Sequence, residues 1–246
     1  MSARESIAVL PLGATEQHGP HLPSETDWII AEAVAARAAA SSGVPPVEVL
    51  PVEKIGYSVE HSHDPRTLSL TFEEAVHRWV GIGEALFSEG TRKLVMLNAH
   101  GGNSPLMTIV ATELRMRLGM LVVATAWTRF GYPPGVVSHD EQALGIHGGF
   151  IETSVMLALR PDLVEMDVAF DFPSAQARFA RDFTHLRAYG PHAFGWMMPD
   201  LSSAGAVGNA AAATAEAGEA ILDHAVAGIV SLLADVARFD LALLKR

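Results

Sequence analysis

The residues able to do chemistry gather in three short strings: TEQHGPHLPSETD at 15–27, NAHGGN at 98–103 and HGGFIETS at 147–154. Glu16 and His18 flank Gln17, so in an extended segment both side chains leave on the same side. A carboxylate beside an imidazole offers a hard oxygen and a borderline nitrogen, a donor pair suited to Zn, Mn or Fe(II). His100 is followed by two glycines, which let backbone come close to a ligand. Asp27 and Glu152 each fall in the first turn of an expected helix, where an acid also has an ordinary use against the helix dipole. His147 precedes two glycines on an expected loop, where it either ties down its own backbone or reaches over a bound molecule. With no cysteine in 246 residues, disulfides are excluded and any metal must be held by oxygen and imidazole.

What positions these strings is an alternation of strands and helices. The apolar run SIAVLPL at 6–12 ends at Gly13 and predicts a buried strand directly ahead of the first string. A helix is expected over 27–40, capped by Ser24 or Thr26 and closed by Gly43, Pro45 and Pro46. A strand at 47–52 follows, then a polar loop at 53–67. Phe72, Val76, Trp79, Val80, Gly83, Leu86 and Phe87 repeat at helical spacing, with Thr71 and Glu74 set for a capping box and Gly90 past the end. The strand expected at 92–97 runs into NAHGGN; a helix at 104–118 with Pro105 in its first turn and a strand at 120–126 come next. Strand–helix–strand units of this length imply right-handed crossovers and a mostly parallel sheet. Clefts in open sheets of this kind lie at the carboxyl ends of the strands, which places the first two strings on one rim. Residues 127–149 and 170–210 read as irregular, leading into helices at 150–159 and about 211–236. The expected architecture is a three-layer α/β/α sandwich, one domain over 1–246.

The balance of 17 Lys+Arg against 28 Asp+Glu gives a net charge of −11. Such a surface repels phosphate backbones and anionic lipid, so neither nucleic acid nor membrane is an expected partner. The segment MSARESIAVLPLG lacks the apolar run of a signal peptide, and apolar stretches break short of a membrane span. A cytoplasmic protein is the expectation. His61 and His63 in EHSHD can reach the cleft from their loop, lie on the surface, or orient ligands without binding metal. Trp127 and Trp196 suit either a pocket wall or a packed core, and His21 beside Pro20 reads as structural.

The strings GATEQHGPHLP with its following TD, NAHGGN and HGGFIETSVMLALRPDLV resemble the creatininase family, which also includes formamidopyrimidine-nucleotide deformylases and a mycofactocin-maturation peptidase. The resemblance runs from about residue 8 to AVGNAAAATAEAGEAIL in the last helix. It implies two divalent metal ions per subunit, Zn first with Mn or Fe as alternatives. One ion would be held by Glu16, Asp27 and His100; the other by His18, with Asp27 bridging both. Creatininase carries a metal-binding carboxylate where this chain has Gly102, and an aromatic residue where it has Gly101. Glu152 is the substitute ligand these departures leave, and they point away from creatinine as substrate. Two ions can share and activate a water, and polarise a carbonyl. His147 is then the expected proton shuttle, catalytic together with Glu152 and not itself a ligand. The implied reaction is hydrolysis of a non-peptide C–N bond in a small cyclic amide or formamide. A peptidase acting on a modified peptide is one alternative. A metal-stabilised homologue without turnover is another, favoured by the carboxylate missing at Gly102. Family members are often hexamers, so a homo-oligomer is expected.

Overall fold

The computed structural model describes residues 6–44 and 46–245; Pro45, expected to help close the first helix, and the segment 1–5 lie outside the described residues. The central sheet has four parallel strands, β1 (Ile7–Leu12), β2 (Val47–Val49), β3 (Lys93–Asn98) and β4 (Leu121–Ala126), in the order β2-β1-β3-β4. Side chains of β1 alternate between two cores, as the pleat requires: Ile7 and Val9 enter one, Ala8, Leu10 and Leu12 the other. In β3, Val95 and Leu97 join the first, Leu94 and Met96 the second. β2 stops earlier than 47–52: the next β1 donor in the alternation that runs through Ile7 would be residue 11, and Pro11 has no N–H to offer. Its chain still follows β1, with Leu50 N–H donating to Val9 O at 2.9 Å and Glu53 N–H to Pro11 O at 3.0 Å.

The helices are α1 (Thr26–Ser41), α2 (Phe72–Ser88), α3 (Ser104–Leu118), α4 (His139–Leu144), α5 (Phe150–Leu159), α6 (Gln176–Asp182), α7 (Met198–Leu201) and α8 (Ala215–Arg238). α1, α5 and α8 cover one face of the sheet and α2 and α3 the other, which makes three layers. α2 carries the expected capping box: Thr71 Oγ1 accepts from Glu74 N–H, and the Glu74 carboxylate accepts from Thr71 N–H. α1 does not use Ser24 or Thr26 as a cap. Its N-cap is Glu25, already in helical conformation and without a side-chain cap bond, whereas a capping side chain reaches in from an extended residue. Thr26 Oγ1 donates backwards, to Pro23 O.

By length and composition α8 could cross a membrane, contrary to the expectation that apolar stretches break short of a span. Its residues Ile221, Leu222, Ala225, Ile229 and Leu233 are buried in the first core against α1 and α5. It crosses α5 with Gly218 against the Ser154 carbonyl oxygen, where any Cβ would overlap backbone. The stretches read as irregular hold α4, α6, α7 and a short antiparallel pair, β5 (Asp171–Phe172) with β6 (Gly208–Asn209). Elements of two to seven residues carry too little periodicity to announce themselves.

Candidate metal centre

Leu12 pairs with Asn98 at the carboxyl ends of β1 and β3, so two strings about 80 residues apart leave the sheet side by side. Glu16, His18, Asp27 and His100 meet there, all buried. His18 Nε2 lies 3.1 Å from Asp27 Oδ1, while His100 Nδ1 lies 3.3 Å from Asp27 Oδ2 and 3.2 Å from Glu16 Oε1. Glu152 enters from α5, with Oε2 3.8 Å from His18 Nε2. Both histidines are oriented from behind: His18 Nδ1–H donates to Glu16 O at 3.0 Å and His100 Nε2–H to Tyr57 O at 2.9 Å. Ligand imidazoles are commonly fixed in this way. Asp27 Oδ2 is buried and accepts no hydrogen bond, an expensive arrangement for a carboxylate oxygen unless a cation takes it. The donor set of carboxylates and imidazoles, and this orphaned oxygen, fit divalent metal ions.

The electrostatics of the cluster are tightly shared. Burial is the largest influence on the Glu16 carboxyl and would push it up, but attraction to His100 and His61 and the hydrogen bond from His100 together hold the group at about 2. Burial opposes charge on His18, yet Asp27 beside it holds that imidazole up at about 10. Burial and then His18 set Glu152 against each other, and burial wins, raising the carboxyl to about 7. A metal ion held by His18 and His100 would have to replace protons on them, so its affinity should fall as pH falls.

His147 arrives from the third string, but its loop is not free to swing. Val207 N–H donates to His147 O at 2.8 Å, and His147 Nε2–H donates to Gln17 O at 2.7 Å. Nδ1 is left facing Glu16 Oε1 at 3.6 Å. Burial, with His18 and His61 nearby, pushes this imidazole well below its usual range. Glu141 pins the loop from beneath, accepting Phe150 N–H at 2.6 Å and Asn209 N–H at 2.9 Å. Glu152 itself accepts Gly148 N–H at 2.6 Å, so it serves its helix start and faces the centre at once. His21 is structural as expected: its Nε2 meets Thr153 Oγ1 at 2.9 Å.

The segment 57–61 brings groups that the motif strings did not contain. Ser58 Oγ donates to Glu16 Oε2, and His61 Nε2 lies 3.6 Å from Glu16 Oε1. His61 is therefore in the centre, while His63 is exposed. Glu60 lies 3.7 Å from His100 Nε2, and burial raises its carboxyl. EHSHD was the signal available for Glu60 and His61; nothing in the sequence marked Ser58. A cavity of about 420 Å³ opens over the centre, walled by Trp127, Trp196, Tyr189, Glu60 and Arg129.

The same segment explains Gly102. A Cβ there would strike the Tyr57 carbonyl oxygen and stand 2.5 Å from His100 Nε2 and 2.6 Å from Glu60 Oε1. Gly102→Glu is therefore expected to cost roughly 1–3 kcal/mol through overpacking and to add no ligand. Urea unfolding with parallel metal analysis checks this; a stable variant with tighter metal binding would refute it.

A buried cluster of carboxylates and imidazoles at strand ends of a parallel sheet, under an open cavity, defines a metal-dependent hydrolase. The sequence matches the creatininase family, described as creatinine amidohydrolase, over residues 1–233. This chain belongs to that family of metal-dependent amidohydrolases. It is 31% identical to creatinine amidohydrolase of Pseudomonas putida, covering 95% of this chain and 90% of that protein. It is 32% identical to the mycofactocin precursor peptide peptidase of Mycolicibacterium smegmatis, covering 90% and 82%. A glutamate-to-glutamine creatininase variant of Zn-Zn type superposes with a TM-score of 0.76 at 31% identity, covering 94% of this chain and 90% of that one. A manganese creatininase does so at 0.75 and 31%, covering 94% and 91%.

Proposed function

We propose that this chain, acting as one domain, is a dinuclear amidohydrolase that cleaves a C–N bond in a small cyclic amide or formamide. The observation that carries it is Asp27: its two oxygens face two different histidines, Oδ1 toward His18 and Oδ2 toward His100. Asp27 would bridge one ion held with Glu16 and His100 and another held with His18 and Glu152. The ions supply Lewis acidity and a water acidified to near neutrality. His147 Nδ1, whose lone pair faces the centre, takes a proton from the attacking water and delivers it to the leaving nitrogen. Zn is the preferred metal, with Mn or Fe as alternatives; Zn and Mn forms of creatininase support the first two. A homo-oligomer, a hexamer by family resemblance, and a cytoplasmic location complete the reading.

Similarity to the mycofactocin peptidase favours a second reading, trimming of a modified peptide. Elemental analysis with a panel of cyclic amides, formamides and short peptides separates the two; cleavage confined to peptides would overturn the first. Glu152→Gln is expected to lower metal content from two equivalents to about one. Unchanged stoichiometry and affinity would remove Glu152 from the second site.

A further inference from the structure

Four imidazoles surround the Glu16 carboxylate: His18, His61, His100 and His147 have ring nitrogens 3.9, 3.6, 3.2 and 3.6 Å from Oε1. In three of them the outward nitrogen meets a backbone carbonyl, as described for His18, His100 and His147. A carbonyl can only accept, so each outward nitrogen carries a proton, and the inward nitrogen is the one that offers a lone pair once the ring is neutral, as His18 and His100 would be with metal in place of their second proton. His61 is wired the other way. Its outward Nδ1 lies 2.8 Å from Gln17 Nε2, an amide nitrogen that can only donate. The amide cannot be reversed, because Gln17 Oε1 accepts Gly19 N–H at 3.0 Å, and rotation would set donor against donor. Gln17 Nε2 also lies 3.5 Å from His147 Nε2, but the 2.7 Å contact of that nitrogen with a carbonyl decides its proton. His61 therefore keeps its lone pair on Nδ1 and its proton on Nε2, the nitrogen turned toward Glu16, and the residue itself lines the cavity.

We propose that His61 is a catalytic hydrogen-bond donor of this centre, a neutral imidazole whose Nε2–H, oriented by Gln17, stabilises the negative charge that develops on the substrate's amide oxygen. A protonated nitrogen cannot coordinate a metal, so the close grouping of Glu16, His61 and His147 is not a third ion site. In the reaction, the water oxygen bonds to the carbonyl carbon and the C=O π pair moves onto oxygen, where His61 Nε2–H meets it. The pair then returns, the C–N bond breaks, and nitrogen leaves with the proton that His147 Nδ1 took from water. Donors held in place for an oxyanion lose nothing to reorganisation as charge appears. Gln17 is a positioning residue that acts through His61.

This inference rests on the hydrolase reading for its turnover, but the proton's place can be read without turnover. Zinc-loaded protein with ¹⁵N-labelled histidine reports which ring nitrogen is protonated, and the signals absent from His61→Ala identify His61. The expected result is a bare Nδ1 and a protonated Nε2. Gln17→Glu retains an acceptor for Gly19 N–H but sets a carboxylate oxygen against Nδ1, so the proton should move to Nδ1. His61→Ala should lower kcat by roughly 10²–10³-fold with KM and metal content little changed, and His61→Gln, with its own N–H, should recover part of the loss. A bare Nε2 in the wild type, loss of metal in His61→Ala, or an unchanged kcat would overturn the proposal. If Nε2–H is found but no cyclic amide or formamide is hydrolysed, the small-amide reading fails while the placement of the His61 proton stands.

Discussion

Asp27→Asn is expected to remove metal from both sites and activity with it, while the fold survives. The substitution keeps the size of the side chain and removes the charge shared between His18 and His100. Asparagine offers one carbonyl oxygen where two carboxylate oxygens stood, and its amide nitrogen cannot coordinate. One of those oxygens, Oδ2, accepts no well-formed hydrogen bond and has His100 Nδ1 3.3 Å away, a place that suits a cation between them. Asp27 also sits in the first turn of α1, where loss of a negative charge costs about 0.3–1 kcal/mol. That role alone would leave metal content untouched. Elemental analysis with circular dichroism distinguishes the outcomes, and full occupancy at either site would rule out the bridge.

His147→Ala should lower turnover by roughly 10²–10⁴-fold with both metals retained. The reason differs from the one its glycines first suggest, a histidine on a swinging loop. The loop is paired to Val207 and the ring is buried with its outward nitrogen committed to Gln17 O, so Nδ1 is held in one place, and the proposed proton transfer would use it there. Because burial depresses its pKa, the folded ring stays neutral where the unfolded one, near 6.5, takes up a proton. This contribution to stability is present above about 6.5 and is lost as pH falls through the lowered folded value. The wild-type acid limb of activity should accordingly lie below 6.5 and change in the variant. Metal loss together with activity would move His147 into the coordination shell.

Much of this centre was legible because its parts sit next to local signals. The apolar runs that became β1 and β3 end immediately before Glu16 and His100, and a parallel sheet brings neighbouring strand ends together whatever their separation in the chain. The capping box at Thr71 was readable for the same reason: both partners lie within one turn. The segment 57–61 was not readable, because its importance comes from crossing over Gly102, a contact between residues more than 40 positions apart. Glu141 was hidden likewise, since a carboxylate that binds Phe150 and Asn209 backbone looks like any acid on a short helix. Trp127 and Trp196 were open between wall and core, and both line the cavity. The direction of the His61 proton depends on a glutamine whose neighbours in sequence gave no hint of it.

The crossing of α5 over α8 has a consequence for variants far from the chemistry. Gly218 touches the Ser154 carbonyl oxygen, and Ser154 lies two residues beyond Glu152 on the same rigid helix. A single methyl group added at residue 218 would overlap the Ser154 backbone and is expected to push α5 and α8 apart, moving the Glu152 carboxylate if α5 gives way. The groups carried by the sheet edge, Glu16 and His100, lie away from that crossing. If two ions are held as proposed, harm from such a change would fall on the one that Glu152 helps to hold, with no proposed ligand altered in sequence.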